Sequence, residues 1–186
     1  MAVSTFNPGA GAIGILVTRR RLGHFVALTE DGRIDATLAQ GGVKLPDALE
    51  RRAAINVNNV QQGPNDLSAP LAPAPGVKSV DPCDISIVMP AEDGEPLVSE
   101  ADRDAWAKFR VAYDVTLETT PFMVSGVVLL LPSQDPLSLT EPGTELFLPV
   151  FAAVVQMGAV TIKDTPGGAI LVNRLHMRKV NATMRR

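Results

Sequence analysis

Cysteine and histidine are scarce in this chain of 186 residues. The single cysteine, Cys83, excludes an intrachain disulfide and any metal site built from several cysteines. The two histidines are His24 and His176, and catalysis by histidine requires a serine, cysteine or carboxylate partner within reach. No sequence motif supplies such a partner. The sequence therefore predicts no catalytic, cofactor-binding or metal-binding residues.

Aromatic residues and positive charge are also low. Phe, Trp and Tyr make up 4% of the chain, so the core must consist mainly of Val, Leu, Ile and Ala. The formal net charge of −3 and the pI near 5.4 disfavour a general nucleic-acid coat protein, which needs an excess of Lys and Arg.

Long hydrophobic segments are missing too. Apolar runs such as residues 127–131 are far shorter than the ~20 residues of a membrane-spanning helix. The first residues, MAVSTFNPGAGAIG, lack the basic region and apolar core of a secretory signal. We expect a cytoplasmic protein without a membrane span.

What the chain does contain is a series of β-strand patterns. Residues 33–39 alternate polar and apolar side chains, which is typical of a strand with one wet face, and Asp31-Gly32 before them is typical of a hairpin turn. Two helices are predicted, at 45–54 and at 99–109, where Ser99 is the expected N-cap. The predicted fold is mainly β, with one or two small β-barrel-like modules and one or two short peripheral helices.

Proline and glycine suggest a division of the chain. Residues 1–11 are interrupted by Gly and Pro, which is typical of a flexible arm. Residues 63–82 are rich in both and read as a linker. We predict a first small β module at 12–62 and a second at 83–186, the latter with the helix near 99–109.

An internal repeat is a further prediction. Residues 32–62 align without a gap to residues 126–156, with five identities, among them Gly32 with Gly126 and Gln62 with Gln156. About two identities are expected by chance from ordinary composition. The alignment favours a tandem of related β modules.

Two motifs are interpreted as structural. Gly9, Gly11 and Gly14 satisfy G-x-G-x-x-G, but a dinucleotide site needs a preceding strand and a following helix, and a β-type segment follows here. The acidic residues around Gly94 lack the ladder of a calcium loop, and Asp93 is expected at a solvated hairpin tip.

Basic residues form the one candidate binding site. If they converge, they could hold phosphate or an acidic protein surface. No aromatic residues are interleaved with them to stack nucleic-acid bases. The candidates for binding an anionic partner are Arg19, Arg20, Arg21, Arg174, His176, Arg178 and Lys179.

The C-terminal part resembles small Sm-like and SH3-like β-barrel domains, including bacterial domains of unknown function. ILVNRLHMRKV at 170–180 reads as an apolar strand, an Asn-Arg step and a final strand, and the resemblance extends over residues 113–180 with Gly126 early in a bent strand. It implies a barrel fold. Sm-like proteins often form rings and bind RNA, but this chain lacks their RNA-reading signature.

These features favour a non-catalytic binding or assembly protein. Residues 127–131 and 146–155 are more apolar than a half-wet strand requires, so both faces of these strands must be covered. We therefore expect a homo-oligomer or a complex with another protein. One alternative is an Sm-like oligonucleotide-binding module using Arg174, His176 and Arg178, although nucleic acid is the less favoured partner. The other is an enzyme whose site cannot be identified from sequence.

Overall fold

The computed structural model describes residues 22–141, 143 and 145–185, except for the side chains of residues 166 and 167. Within these residues the chain forms eleven β-strands, two α-helices and three short 3-10 helices. In chain order the strands and α-helices are β1 (His24–Thr29), β2 (Arg33–Leu38), α1 (Leu45–Leu49), β3 (Ile55–Gly63), β4 (Ala72–Pro73), β5 (Ser79–Val80), β6 (Ile85–Pro90), α2 (Glu100–Ala107), β7 (Val111–Thr119), β8 (Phe122–Leu130), β9 (Phe147–Met157), β10 (Val160–Asn173) and β11 (Met177–Met184). The 3-10 helices are Pro82–Asp84, Pro136–Thr140 and Arg174–His176. The prediction of a mainly β chain is confirmed. The predicted arm at 1–11 lies outside the described residues.

The strands form one large antiparallel sheet. Its order is β11-β7-β8-β9-β10-β6-β1-β2-β3-β4, and β5 also pairs with β3. Strands from both predicted modules belong to it, because β1 pairs with β6 and β6 pairs with β10. The sheet is open, with β11 and β4 at its ends, and does not confirm the expected barrel-like modules. The division into 12–62, 63–82 and 83–186 stays a prediction.

Two apolar cores cover the sheet, and β6 contributes to both. Successive side chains of a strand point to opposite faces. Ile87 and Met89 therefore pack into the larger core, which is built mainly on β7 to β10, whereas Val88 between them packs into the second core, which surrounds α1 and β1 to β3. Ile85 also packs into the second core, and a register shift in the pairing with β1 separates it from Ile87. This double coverage explains why β6 is apolar at nearly every position.

Helix α1 is shorter than the predicted 45–54. Glu50 follows its last residue, and the Glu50 carboxylate accepts hydrogen bonds from the backbone N–H groups of Leu146 (2.7 Å) and Phe147 (2.8 Å). Arg52 has a φ of 53°, a left-handed conformation that cannot continue an α-helix. The helix therefore ends early, and its C-terminus is fastened to the start of β9.

Helix α2 is close to its prediction at 99–109 but packs less than expected. Ser99 is the N-cap, and its Oγ accepts a hydrogen bond from the Asp102 N–H at 3.1 Å. None of the residues of α2 is buried. Trp106 contacts Phe151 edge-on, with ring centroids 6.4 Å apart, whereas Phe109 just beyond the helix is 75% exposed. The expected apolar stripe therefore meets the sheet mainly at Trp106.

The proline-rich segment 63–82 wraps the edge of β3. Its strands β4 and β5 pair with different parts of β3. Leu67 packs against the larger core, whereas Ala74 and Val77 pack against the second core on the other face. The segment therefore supplies side chains to both faces of the sheet.

The two segments of the predicted repeat share an order of elements. In each, two antiparallel strands are separated by a short helix: β2, α1 and β3 in the first, β8, the 3-10 helix Pro136–Thr140 and β9 in the second. Both strand pairs contain a register shift, and β3 and β9 each contain a left-handed residue, Asn59 and Ala152. The repeat itself stays a prediction.

Candidate functional site

A cavity of about 650 Å³ opens over β1 and β2. Its polar lining includes His24, Arg33, Asp35 and Asp93, and Lys163 of β10 contributes a further charge. The rest of the wall is largely apolar and comes from β1, the end of β6 and the proline-rich segment. The volume lies within the range of small-molecule sites.

The β1–β2 hairpin explains why these polar residues share one face. Val26 lies opposite Asp35, and Leu28 lies opposite Arg33. Directly opposed residues in an antiparallel pair project to the same side of the sheet, as do residues two apart in one strand. Leu28 is part of the larger core. The cavity therefore lies on the same face of the sheet as the larger core and continues that face with polar residues.

His24 lies between two carboxylates. Its Nε2 is 2.7 Å from an Asp35 oxygen, and its Nδ1 bonds to Asp93, which follows β6. Partial burial lowers the pKa of His24, but the hydrogen bonds and negative charges of Asp35 and Asp93 outweigh this effect and raise the pKa above its ordinary value. The charged imidazolium can donate from both ring nitrogens at once. This triad links β1, β2 and the loop after β6.

The triad is poorly suited to catalysis or metal binding. A general base needs a ring nitrogen free to accept a proton, and both nitrogens of His24 contact carboxylates. The two carboxylates lie at opposite nitrogens of the ring and do not converge with it on one point. Within the described part of the chain, no group of three His, Cys, Asp or Glu residues could hold a metal ion.

Arg33 is the most deeply buried charge of the cavity wall. Arg33 is 6% exposed. Its Nη2 donates to the Ala69 carbonyl at 2.9 Å, while its Nε is buried without a partner among the described residues. The nearest acidic residue along the strand, Asp35, bonds to His24 instead. The guanidinium forms no salt bridge among the described residues, and its charge helps to lower the pKa of the exposed Asp66.

The sequence did not predict this site. The predicted hairpin contained a signal for part of the site, because a turn at residues 30–32 places His24 and Asp35 on one face of neighbouring strands. Asp93 was expected at a solvated hairpin tip; it lies in a turn with its side chain 34% exposed, and its bond to His24 was not predicted. Gly94 beside it is buried, and a Cβ there would lie 2.5 Å from the His24 carbonyl oxygen. The loop therefore packs directly on β1.

Two of the predicted basic-site residues bind backbone carbonyls. Arg174 donates from Nε to the Leu139 carbonyl (3.0 Å) and from Nη2 to the Glu141 carbonyl (2.9 Å), so it caps the end of a 3-10 helix. His176 donates from Nε2 to the Cys83 carbonyl at 2.7 Å. Both side chains fasten the fold.

The other predicted basic residues are differently placed. Arg178 and Lys179 are exposed on β11 and form no ion pair with described residues. Arg19, Arg20 and Arg21 lie outside the described residues. A shared site for an anionic partner stays a prediction.

A second cavity, which we call the outer groove, lies beside α2. It has a volume of about 250 Å³ and is lined by residues that include Trp106, Arg110, Leu131 and Phe151. The Arg110 guanidinium stacks 4.7 Å from the Trp106 ring centroid, a cation–π contact. The groove is thus partly aromatic.

Among the described residues, four of the eight large exposed apolar side chains line the outer groove or lie within two positions of a lining residue in sequence. Leu131 is one of its lining residues, and the other three follow or precede a lining residue by no more than two positions. Their exposed fractions are 75% for Phe109, 62% for Leu137, 56% for Leu175 and 45% for Leu131. We call these four residues the apolar rim.

Comparisons with protein-family models, curated proteins and solved structures find no match to this chain. The resemblance to Sm-like and SH3-like domains therefore stays a prediction. None of the helices in the described ranges is long and apolar enough to cross a membrane.

Proposed function

We propose that this chain is a non-catalytic binding and assembly module of the cytoplasm, which associates with a second copy of itself through the outer groove and α2. The observation that carries the proposal is the apolar rim of Phe109, Leu131, Leu137 and Leu175. Clusters of exposed large apolar residues mark interaction surfaces more often than scattered ones do.

The exposure of α2 supports the same surface. An eight-residue helix is too short to be stable by itself in water and depends on packing against its surroundings. Within its own chain α2 contacts the sheet mainly through Trp106, whose ring meets Phe151. A partner seated on the groove would bury Phe109 and the outward side of α2, and so complete the packing of the helix.

Charge complementarity favours a second copy as the partner. Helix α2 exposes Glu100, Asp102 and Asp104, of which Asp104 pairs with Arg103 of the same helix, and β11 exposes Arg178 and Lys179. In a two-fold dimer, a contact between one patch and another occurs twice, because each copy offers both patches. The acidic helix of one copy can then pair with the basic strand of the other, in both directions.

The alternatives have less support in the site geometry. An Sm-like oligonucleotide site would use Arg174 and His176, whose side chains bind backbone carbonyls. An enzyme would need a reactive group in the large cavity, where both nitrogens of His24 are engaged by carboxylates. The proposed non-catalytic role instead uses the outer groove and α2.

Sedimentation equilibrium of the purified protein from 1 to 100 µM tests the proposal. We expect a reversible dimer that Phe109→Ser and Leu131→Ser each weaken at least about 100-fold, since each substitution removes two apolar side chains from a two-fold interface and burial of each contributes ~1.5–3 kcal/mol. Val160→Ser is the matched control, because Val160 is 63% exposed on β10 and does not line the groove. A wild-type monomer at 100 µM, or equal effects of all three variants, would contradict the proposal.

Charge swapping tests the geometry. One variant carries Arg178→Glu and Lys179→Glu, and the other carries Glu100→Lys and Asp104→Lys. Each variant alone should remain monomeric, because its patches on α2 and β11 then carry charges of the same sign. A mixture should form a heterodimer, because opposite charges again face each other in both contacts. No association in the mixture would exclude pairing between α2 and β11.

A further inference from the structure

The large cavity contains a buried cation, Arg33, which is 6% exposed and forms no salt bridge with any carboxylate in the described ranges; the exposed carboxylate of Asp66 interacts with it through its charge alone. Removing an ion from water costs several kcal/mol unless a partner compensates. The Ala69 carbonyl supplies one hydrogen bond, and the buried Nε has none among the described residues.

The triad described above keeps the obvious counter-ion away. Asp35 is two residues from Arg33 on β2 and shares its face, so it could pair with the guanidinium. Instead, its carboxylate bonds to His24, which Asp93 holds from the other side. The geometry thus leaves Arg33 available for an anionic group that enters the cavity.

The charges of the cavity wall are divided between two signs. Arg33 and Lys163 are cationic. Asp35, Glu92 and Asp93 are acidic, and His24 bonds to Asp35 and Asp93. A ligand complementary to this wall carries both charges.

We propose that this cavity binds a small zwitterion, whose carboxylate is held by Arg33 and Lys163 and whose ammonium group lies against Asp35 and Glu92. The guanidinium fork matches the geometry of a carboxylate. The acidic residues disfavour a doubly charged phosphate, because like charges close together in a partly buried site repel each other strongly. This site is separate from the outer groove and does not depend on self-association.

The remaining wall suggests a suitable probe. Val26, Leu67, Leu71 and Met89 line the cavity with apolar surface. An amino acid with an apolar side chain fits all three parts of the wall, so L-leucine is the probe. Its amide lacks the carboxylate, 4-methylpentanoate lacks the ammonium group, and inorganic phosphate presents an anion alone.

Titration of the full chain with each probe, followed by amide chemical shifts, tests the proposal. We expect saturable shifts with L-leucine at millimolar concentration or below, centred on β1 and β2, and at least tenfold weaker binding of the three other probes. Arg33→Met should weaken L-leucine binding about 10- to 100-fold, as expected on loss of a charge-assisted hydrogen bond. Lys163→Met should also weaken it, and Lys44→Met, at an exposed lysine before α1, is the matched control.

Each other result overturns part or all of the inference. No shift with any probe at 10 mM overturns it, as does L-leucine binding that neither Arg33→Met nor Lys163→Met changes. If the amide binds as tightly as L-leucine, the carboxylate contact is wrong, and if 4-methylpentanoate does, the ammonium contact is wrong. Preferential binding of phosphate would replace the zwitterion with a simple anion. Lys163→Met keeps the test decisive should Arg33→Met fail to fold.

Discussion

Removal of the Glu50 carboxylate should destabilise the whole chain. Glu50 accepts hydrogen bonds from the Leu146 and Phe147 N–H groups, at 2.7 and 2.8 Å, across nearly a hundred residues of sequence. Both of those residues are buried, so neither N–H can readily turn to water after Glu50→Ala. A buried donor left unpaired costs about 1–3 kcal/mol, so the two together predict a loss of roughly 2–6 kcal/mol.

This loss is large against the ~5–15 kcal/mol by which most domains are stable. Glu50→Gln keeps one acceptor oxygen and should cost about half as much. Glu30→Ala is the control, because Glu30 is exposed beside the β1–β2 turn and should change stability by less than about 0.5 kcal/mol.

Urea unfolding followed by two signals measures the effect. Trp106 is the single tryptophan and contacts Phe151 of β9, so its fluorescence reports the C-terminal half. Far-UV circular dichroism reports the entire sheet. Because Glu50 joins α1 to β9, both transitions should shift together in Glu50→Ala. A loss below about 0.5 kcal/mol, or a shift in only one signal, would refute the reasoning.

Three further substitutions have defined outcomes. His24 has a raised pKa despite the opposing effect of burial, so its stabilising contribution is complete below about pH 6.5 and is lost as pH rises through the folded-state pKa. Urea unfolding from pH 5 to 9 should show this decline in the wild type and a flatter profile in His24→Gln. Gly126→Ala should cost about 1–3 kcal/mol in thermal unfolding, because the added Cβ would lie 2.8 Å from a backbone oxygen of β9, and an unchanged melting temperature would contradict that packing. Thr119→Val should raise the free energy of unfolding by about 1 kcal/mol, because the Thr119 Oγ1 is buried without a partner among the described residues, and a lower stability would indicate that the hydroxyl has one.

Local patterns in the sequence predicted most strands, because their causes are local. The alternation at 33–39 corresponds to β2, and the Asp31-Gly32 turn joins β1 to β2 as expected, with the Thr29 N–H donating to the Gly32 carbonyl. Ser99 caps α2 through a contact only three residues long. These features depend on neighbours along the chain, so a single sequence contains their signal.

The features that sequence reasoning missed depend on distant contacts. Glu50, just after α1, binds the backbone N–H of Leu146, nearly a hundred positions away. Asp93 reaches His24 because β6 pairs with β1, and nothing near Asp93 in sequence indicates that pairing. The basic candidates Arg174 and His176 resembled a binding site in sequence, but their carbonyl partners lie 33 or more positions away.

The unequal ends of the sheet set a limit on polymerisation. At one end, Pro73 of the short strand β4 lacks a backbone N–H, so this border has little capacity to template a further strand. At the other end, the eight-residue strand β11 has one described neighbour, β7. Fibre growth through backbone pairing requires two competent ends, one to receive and one to pass on. Each chain has one such end, the β11 edge. When the β11 edges of two chains pair, no competent edge is left, so edge-to-edge addition stops at a pair.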